Sequence, residues 1–88
     1  MPFVYLLRCR DGSLYTGIAK DLARRLEQHR RGRAARYTRG RGPVKLVWER
    51  RVATWSRALR EERRIKSLRR VRKEELVATR RVRRVHSR

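Results

Sequence analysis

Five side chains in this sequence carry groups that can act together on a phosphate ester. A phenol or an imidazole can accept a proton from water, a guanidinium can bind two oxygens of one phosphate, and a carboxylate can hold a divalent cation. Hydrolysis of a phosphodiester needs all three functions, because the water loses a proton while negative charge builds up on the phosphate. The residues concerned are Tyr5, Tyr15, Arg25, His29 and Glu62.

The sequence leaves the proton acceptor open among three residues. We expect Tyr5 to be the general base and Tyr15 to position the water or the phosphate, with His29 as a competing base. A phenol with a pKa near ~10 is a weak base at neutral pH, and we expect surrounding arginines and a bound metal to favour the phenolate. One tyrosine in a strand, or one histidine in a helix, more often packs in the core than takes part in catalysis. The prediction of a catalytic site therefore depends on the combination of these residues.

Glu62 is the predicted metal ligand. Mg²⁺, or Mn²⁺ in its place, keeps most of its waters and often takes a single protein carboxylate, so one acid together with phosphate oxygens is enough. At ~100° per residue Glu62 falls within about 40° of Ala58 on the apolar side of its helix, whereas Glu61 points further away. An ordinary ion pair with Arg25 or Arg63 is the simpler explanation of Glu62.

The composition points to a polyanionic partner. The chain has 88 residues, and 28 Lys and Arg against 8 Asp and Glu give a formal net charge of +20. Because neutralising phosphates releases condensed counterions, nucleic acid is the expected partner, with DNA first and RNA as the alternative. A chain this short builds one modest core, predicted over residues 1–82 and followed by a basic tail over 83–88. We expect a monomer or a weak dimer.

Cysteine, histidine and hydropathy patterns exclude other classes of protein. Cys9 is alone, so neither a disulfide nor a cysteine-based zinc site can form, and His29 and His86 lack metal-ligand spacing. No run approaches the ~18 consecutive apolar residues of a membrane helix, and the N-terminus lacks the pattern of a signal peptide. We therefore expect a cytoplasmic protein with no membrane segment and no small-molecule cofactor.

The first elements form a predicted hairpin. Strands are expected over residues 3–9 and 13–18, joined by a three-residue loop over 10–12 whose glycine takes the left-handed bulge conformation. A two-residue turn would put Tyr5 and Tyr15 on opposite faces, because a shift of one residue turns every side chain over. The favoured loop puts the two tyrosines together on one face. The small residues beside them, expected to form a shallow pocket, are Cys9, Ser13 and Gly17.

A helix and a basic loop follow the hairpin. Asp21 can cap a helix that ends at Gly32 and places Arg25 and His29 on its inner stripe. Residues 33–42 are predicted as a loop with a helical turn, in which arginines follow a nucleic-acid backbone and a tyrosine stacks on a base. No groove-reading motif is present, so weak sequence preference is expected. The predicted nucleic-acid contacts are Gly17, Arg30, Arg31, Arg33, Arg36, Tyr37, Arg39 and Arg41.

A third strand and further helix complete the expected elements. Residues 44–52 show the alternation of a strand, Thr54 or Ser56 can begin a second long helix, and residues 73–82 would add one or two helical turns. The alternation places Val44, Leu46, Trp48 and Arg50 on one side of the strand and Val47 on the other. The inner stripe of the second long helix consists of Ala58, Ile65 and Leu68.

The order of these residues resembles the GIY-YIG nuclease family, above all its small stand-alone bacterial members. Tyr5 matches the tyrosine of the first half-motif, Tyr15 and Gly17 match the second, and ten residues lead from Tyr15 to Arg25 as in the family. The resemblance covers nearly the whole chain and includes residues 11–18. It implies an α+β fold with a small three-stranded antiparallel sheet flanked by helices, and metal-dependent hydrolysis of a phosphodiester.

The resemblance also implies roles for single residues. Arg25 is similar to the family's phosphate-clamping arginine, His29 to an auxiliary polar group and Glu62 to the metal-binding carboxylate. Residues 3–5 read Phe-Val-Tyr without the usual glycine, Thr16 stands where isoleucine is typical, and the chain has no asparagine. The expected function is a divalent-metal-dependent DNA endonuclease that is structure-selective or weakly sequence-selective. A non-catalytic DNA- or RNA-binding module on the same scaffold is the alternative.

Overall fold

A computed structural model describes the backbone of residues 1–86 and the side chains of residues 1–79. The three strands form one antiparallel sheet in which the first strand lies between the second and the third, which confirms the predicted α+β class. Within the described residues, none of the helices combines the length and apolar character needed to cross a bilayer. The elements are β1 (Phe3–Arg8), β2 (Leu14–Ala19), α1 (Leu22–Arg30), β3 (Lys45–Arg51), α2 (Trp55–Lys66) and α3 (Arg70–His86).

The hairpin adopts the register predicted for a three-residue loop. Gly12 has a φ of 87°, the left-handed conformation that only glycine enters without strain. The Cys9 amide donates to the Ser13 carbonyl at 2.9 Å and closes the loop. Since Leu7 lies opposite Tyr15, the side chains of Tyr5 and Tyr15 share one face of the sheet, as predicted.

The strict alternation predicted for β3 is wrong at one point. Leu6 lies opposite Trp48 and Leu7 lies opposite Leu46, so Val47 is an extra residue without a partner on β1. This β-bulge turns Leu46 and Trp48 to opposite faces of the sheet, although they are two residues apart. Trp48 packs in the core under α2, and Leu46 packs beside Tyr5.

Both faces of the sheet are covered, and β1 is therefore buried on two sides. Helices α2 and α3 cover one face, where the predicted stripe of α2 is confirmed for Ala58 and Ile65, which are buried. Leu68 packs against the same core, but it follows the end of α2 at Lys66. Helix α1 covers the other face with Leu22 and Leu26. The core under α2 and α3 consists of Val4, Leu6, Trp48, Ala58, Ile65 and Val77.

Helix α3 is longer than the predicted turns over residues 73–82. An ion pair attaches it to the sheet, because the Arg8 guanidinium donates to both carboxylate oxygens of Glu74 at 2.5 and 2.7 Å. The helix continues through residues 83–86 of the predicted basic tail. Residues 87–88 lie outside the described part of the chain.

Replacing Thr16 by valine is expected to stabilise the protein. The Thr16 hydroxyl is buried beside Leu6 without a hydrogen-bond partner, and a buried orphan hydroxyl costs about 1–3 kcal/mol. We expect Thr16→Val to raise the free energy of unfolding by about 1 kcal/mol, which raises the Tm of a chain this size by about 4–8 °C. Calorimetry measures both quantities.

The matched control is Thr38→Val, because that hydroxyl is equally buried but has two hydrogen-bond partners. Its removal leaves partners unsatisfied, so this variant should lose stability. A Thr16→Val protein that melts below the parent would contradict the assignment of an orphan hydroxyl.

Candidate active site

The sheet face beneath α1 brings the predicted site residues together. Tyr5 and Tyr15 come from adjacent strands, with ring centroids 6.5 Å apart. Their neighbour from α1 is His29, whose ring centroid lies 5.8 Å from that of Tyr5 and 5.3 Å from that of Tyr15. The charges of Arg25 on α1 and Glu62 on α2 act on the pKa of both phenols. Tyr5, Tyr15 and His29 therefore contact one another, and Arg25 and Glu62 are near enough for their charges to reach both phenols.

A chain of buried hydrogen bonds fixes the protonation of His29. The Thr38 hydroxyl donates to the Ala35 carbonyl at 3.2 Å, so its oxygen must accept from His29 Nδ1 at 2.9 Å. His29 Nε2 is then the unprotonated nitrogen, and it accepts from the Tyr5 hydroxyl at 2.8 Å. A backbone carbonyl at one end thus determines the tautomer of the imidazole at the other.

Burial keeps both members of the Tyr5 and His29 pair neutral. It raises the pKa of Tyr5, and the neighbouring Tyr15 raises it further, while Arg25 lowers it by less. Burial, followed by the charge of Arg25, lowers the pKa of His29 to about 4. Burial also raises the pKa of Tyr15. Desolvation outweighs the charge of the arginines at both tyrosines, so the arginines alone do not favour a phenolate. The expected contribution of a bound metal stays a prediction.

Exposure divides the site into a buried pair and an open group. Tyr5 has no exposed surface and His29 is 3% exposed, so a substrate cannot reach either group in this arrangement. Tyr15, Arg25 and Glu62 are only partly buried. Of the five residues, these three are therefore the ones that solvent reaches.

Gly17 provides the room that the Tyr5 ring occupies. A Cβ atom on Gly17 would lie 2.5 Å from the Tyr5 hydroxyl oxygen and 3.0 Å from the Tyr15 ring. The shallow pocket predicted at this position is consequently filled by the phenol. Gly17 is buried and offers no surface to nucleic acid, which corrects its predicted place among the binding residues.

Two neighbouring acids on α2 differ in their partners. Glu61 is bound by Arg50 at 2.9 Å and by Arg64 at 2.6 Å. Glu62 forms its ion pair with Lys66, at 3.3 Å, and not with Arg25 or Arg63. Its carboxylate is thus the acid beside the phenols that is not held by a guanidinium fork.

The donor set fits a hard cation that needs few protein ligands. Among the described residues no three His, Cys, Asp or Glu side chains cluster closely enough to hold a metal ion by themselves. Mg²⁺ commonly takes one or two carboxylates and completes its shell with water and substrate phosphate, so Glu62 alone is compatible with it. A structural zinc site is not compatible with this set.

The basic loop between α1 and β3 covers the open side of Tyr15. Tyr37 stacks on Tyr15 with ring centroids 5.8 Å apart and an interplanar angle of 28°. The Arg41 guanidinium lies 4.3 Å from the Tyr37 ring centroid and is bound by Asp11 and the Tyr37 carbonyl. Tyr37 and Arg41 are therefore engaged within the protein, whereas the other predicted binding arginines are exposed: Arg30, Arg31, Arg33, Arg36 and Arg39.

Sequence reasoning missed two residues of the site. Thr38 orients His29, but this contact depends on the conformation of an irregular loop. Helical or strand periodicity in the sequence therefore could not predict it. Lys66 pairs with Glu62 one helical turn away, and the spacing of four residues on one helix could have revealed it.

Comparisons with known proteins agree on one family. Residues 1–75 match the model of the GIY-YIG catalytic domain. A UPF0213 protein of Oceanobacillus iheyensis is 48% identical over 75 residues, which are 85% of this chain and 87% of that protein. A UPF0213 protein of Cronobacter sakazakii is 51% identical over 76 residues, covering 86% of this chain and 80% of that one. The solution NMR structure of a UPF0213 protein from Bacillus halodurans is similar with a TM-score of 0.59 and 45% identity, over 90% of this chain and 85% of that chain.

His29 is expected to make stability depend on pH in a defined window. Its folded pKa of about 4 lies below the ordinary value of 6.5, so the unfolded chain takes up the proton first as the pH falls. We expect the contribution of His29 to stability to be complete above pH 6.5 and to decline by about 1.4 kcal/mol per pH unit between 6.5 and about 4. Urea unfolding across this range measures the slope.

The reference protein is His29→Gln, which carries no titratable group at this position. The carboxylates titrate equally in both proteins, so the difference between the two slopes isolates the histidine. Parallel slopes in the two proteins would show that His29 is not held neutral.

Proposed function

This chain belongs to the GIY-YIG catalytic domain family, a family of endonucleases, and on that premise we propose that it hydrolyses phosphodiester bonds in DNA with the help of a divalent metal. The observation that carries the proposal is the meeting of Tyr15, Arg25 and Glu62 on the open side of a buried Tyr5 and His29 pair. A purely binding surface has no need of an acid beside two phenols.

Arg25 is the group that binds and stabilises the scissile phosphate. Its guanidinium is partly exposed and lies among Tyr5, Tyr15 and His29, whose pKa values it lowers. A planar fork of donors matches two non-bridging oxygens and favours the additional charge of the transition state. Arg25→Lys would keep the charge but lose this geometry.

Tyr15 is the phenol that orients the attacking water. It is partly exposed, whereas Tyr5 is fully buried, so Tyr15 keeps its expected positioning role in this proposal and Tyr5 loses the expected role of general base. Because burial keeps the pKa of Tyr15 above its ordinary value, the phenol stays protonated at neutral pH. It can accept a hydrogen bond from water and donate one to a phosphate oxygen.

Tyr5 and His29 act as positioning residues behind Tyr15. The Tyr5 hydroxyl is held by His29, and its ring contacts the Tyr15 ring on the face over Gly17. A phenol fixed in this way limits the orientations open to Tyr15. Preorganisation of this kind reduces the reorganisation needed when the substrate reacts.

Glu62 would hold the divalent cation together with phosphate oxygens. Such a cation, when bound, would neutralise charge on the phosphate and lower the pKa of a coordinated water, so that this water could release its proton to bulk solvent without a side-chain base. Lys66 is the partner that Glu62 would exchange for it, and an ion pair whose lysine is largely in solvent contributes only about 0–1 kcal/mol. The exchange therefore costs little.

The cleavage test compares the two adjacent acids. We expect Glu62→Gln to lower cleavage of supercoiled, branched or single-stranded DNA by about 10²–10³-fold or more in Mg²⁺ or Mn²⁺, with DNA affinity retained. Glu61→Gln changes the same group one residue away and should cleave like the parent, because that carboxylate is held by Arg50 and Arg64. Gel assays with and without a chelator measure both.

Two results would overturn this proposal. Nicking that persists in Glu62→Gln and in chelator would place the activity elsewhere. Tight, salt-sensitive binding of DNA without cleavage of any of these substrates would favour the non-catalytic binding module.

Three exposed arginines of the basic loop are proposed to contact the DNA backbone. Arg33, Arg36 and Arg39 are solvent-exposed and have no ion pair with a carboxylate among the described residues. Replacing all three by glutamine should weaken binding equally for different sequences. The slope of log K against log salt should become shallower by about one for each lost phosphate contact.

The control replaces exposed Arg72 on α3, which is paired with Glu75. This variant should bind DNA with almost the parent slope. If the loop variant keeps the parent slope as well, the phosphate-binding surface lies elsewhere.

A further inference from the structure

A small cavity lies next to the candidate active site and shares one residue with it. It has a volume of about 250 Å³ and is lined by the start of α1, the end of β2 and the first residue of α2. Arg25, the proposed phosphate-binding residue, is part of its wall. Whatever occupies this cavity is therefore close to the reacting phosphate.

The cavity presents an exposed aromatic ring. Trp55 is 39% exposed, whereas Trp48 is buried in the core. The Lys20 ammonium lies 5.4 Å from the centroid of the Trp55 ring. A nucleobase stacks on an aromatic side chain more strongly than an exposed ammonium binds to it, so a base can displace Lys20 from the ring.

The charge around Trp55 is positive. Lys20, Arg24 and Arg25 all line the cavity. Its single acid, Asp21, is committed to the helix, because its carboxylate accepts from the Arg24 amide at 3.0 Å and caps α1. An aromatic ring between cationic side chains is the arrangement that takes a base together with its adjoining phosphates.

The size of the cavity limits its occupant. Sites for drug-sized ligands have volumes of ~300–1,000 Å³, so this cavity suits one flat group and not a larger ligand. A base in a duplex is stacked on both faces and paired along one edge, so it would first have to be unstacked and unpaired to enter the cavity. The occupant must therefore come from an unpaired nucleotide.

We propose that the Trp55 cavity binds an unpaired nucleobase next to the scissile phosphate, and that it directs the protein to single-stranded or flap-containing DNA. This inference rests on the proposed function, because only a nuclease has a scissile phosphate beside Arg25. The binding of an unpaired base by Trp55 can be measured without cleavage.

The experiment measures binding of oligothymidylate and of a blunt duplex of equal length, in chelator, to the full chain. Stacking on Trp55 should quench tryptophan fluorescence with oligothymidylate and leave it nearly unchanged with the duplex. We expect Trp55→Leu to weaken oligothymidylate binding about 5–100-fold and duplex binding less than about twofold. Trp55→Phe keeps a ring that can stack and should restore most of the affinity.

The control variant is Val71→Ala, which truncates another exposed apolar side chain, on α3. It should bind both ligands like the parent. The subsite is refuted if Trp55→Leu binds oligothymidylate as tightly as the parent, or if it loses both ligands equally.

Cleavage separates this inference from the proposed function. An active protein in which Trp55→Leu loses flap cleavage more than duplex nicking supports both. A protein that cleaves no DNA but shows the Trp55-dependent preference for oligothymidylate supports the subsite and refutes the endonuclease. If the protein cleaves DNA and its preference for oligothymidylate is unchanged in Trp55→Leu, the subsite alone is refuted.

Discussion

The hydrogen bond from the Tyr5 hydroxyl to His29 is the constraint on which the arrangement of the site depends. Tyr5 stands on the central strand and is buried on both sides, so its hydroxyl cannot be hydrated and must find a partner inside the protein. His29 supplies that partner, and its second nitrogen then requires Thr38. One buried phenol thus joins the sheet, α1 and the basic loop in a single orientation.

The burial of Tyr5 and His29 also divides the site into buried and partly exposed side chains. Because Tyr5 and His29 are buried, both remain neutral, and their hydrogen bond satisfies each inside the protein without an ion pair. Tyr15, Arg25 and Glu62 remain partly exposed, and the proposed function assigns the contacts with substrate to them. This arrangement requires glycine at position 17, because any side chain there would displace the Tyr5 ring.

The sequence allows prediction of features that follow from local periodicity. Gly12 in a three-residue loop determines the hairpin register, and the helical angle between Ala58 and Glu62 places that acid near the sheet. The bulge at Val47 escaped prediction because an alternating strand gives no sign of an extra residue, which only the pairing with β1 reveals. The neutral state of Tyr5 escaped for a related reason, because desolvation depends on packing by elements distant in sequence.

An arginine-rich chain must keep one acid available if it is to hold a metal. Arginine binds a carboxylate with a planar fork, and Glu27, Glu61, Glu74 and Glu75 are all paired with arginines. The partner of Glu62 is Lys66, a flexible point charge that makes no such bidentate contact. A divalent cation competes with a lysine ammonium more easily than with a guanidinium fork. Lysine at position 66 thus leaves the Glu62 carboxylate without an arginine fork among the described residues, as the proposed metal site requires.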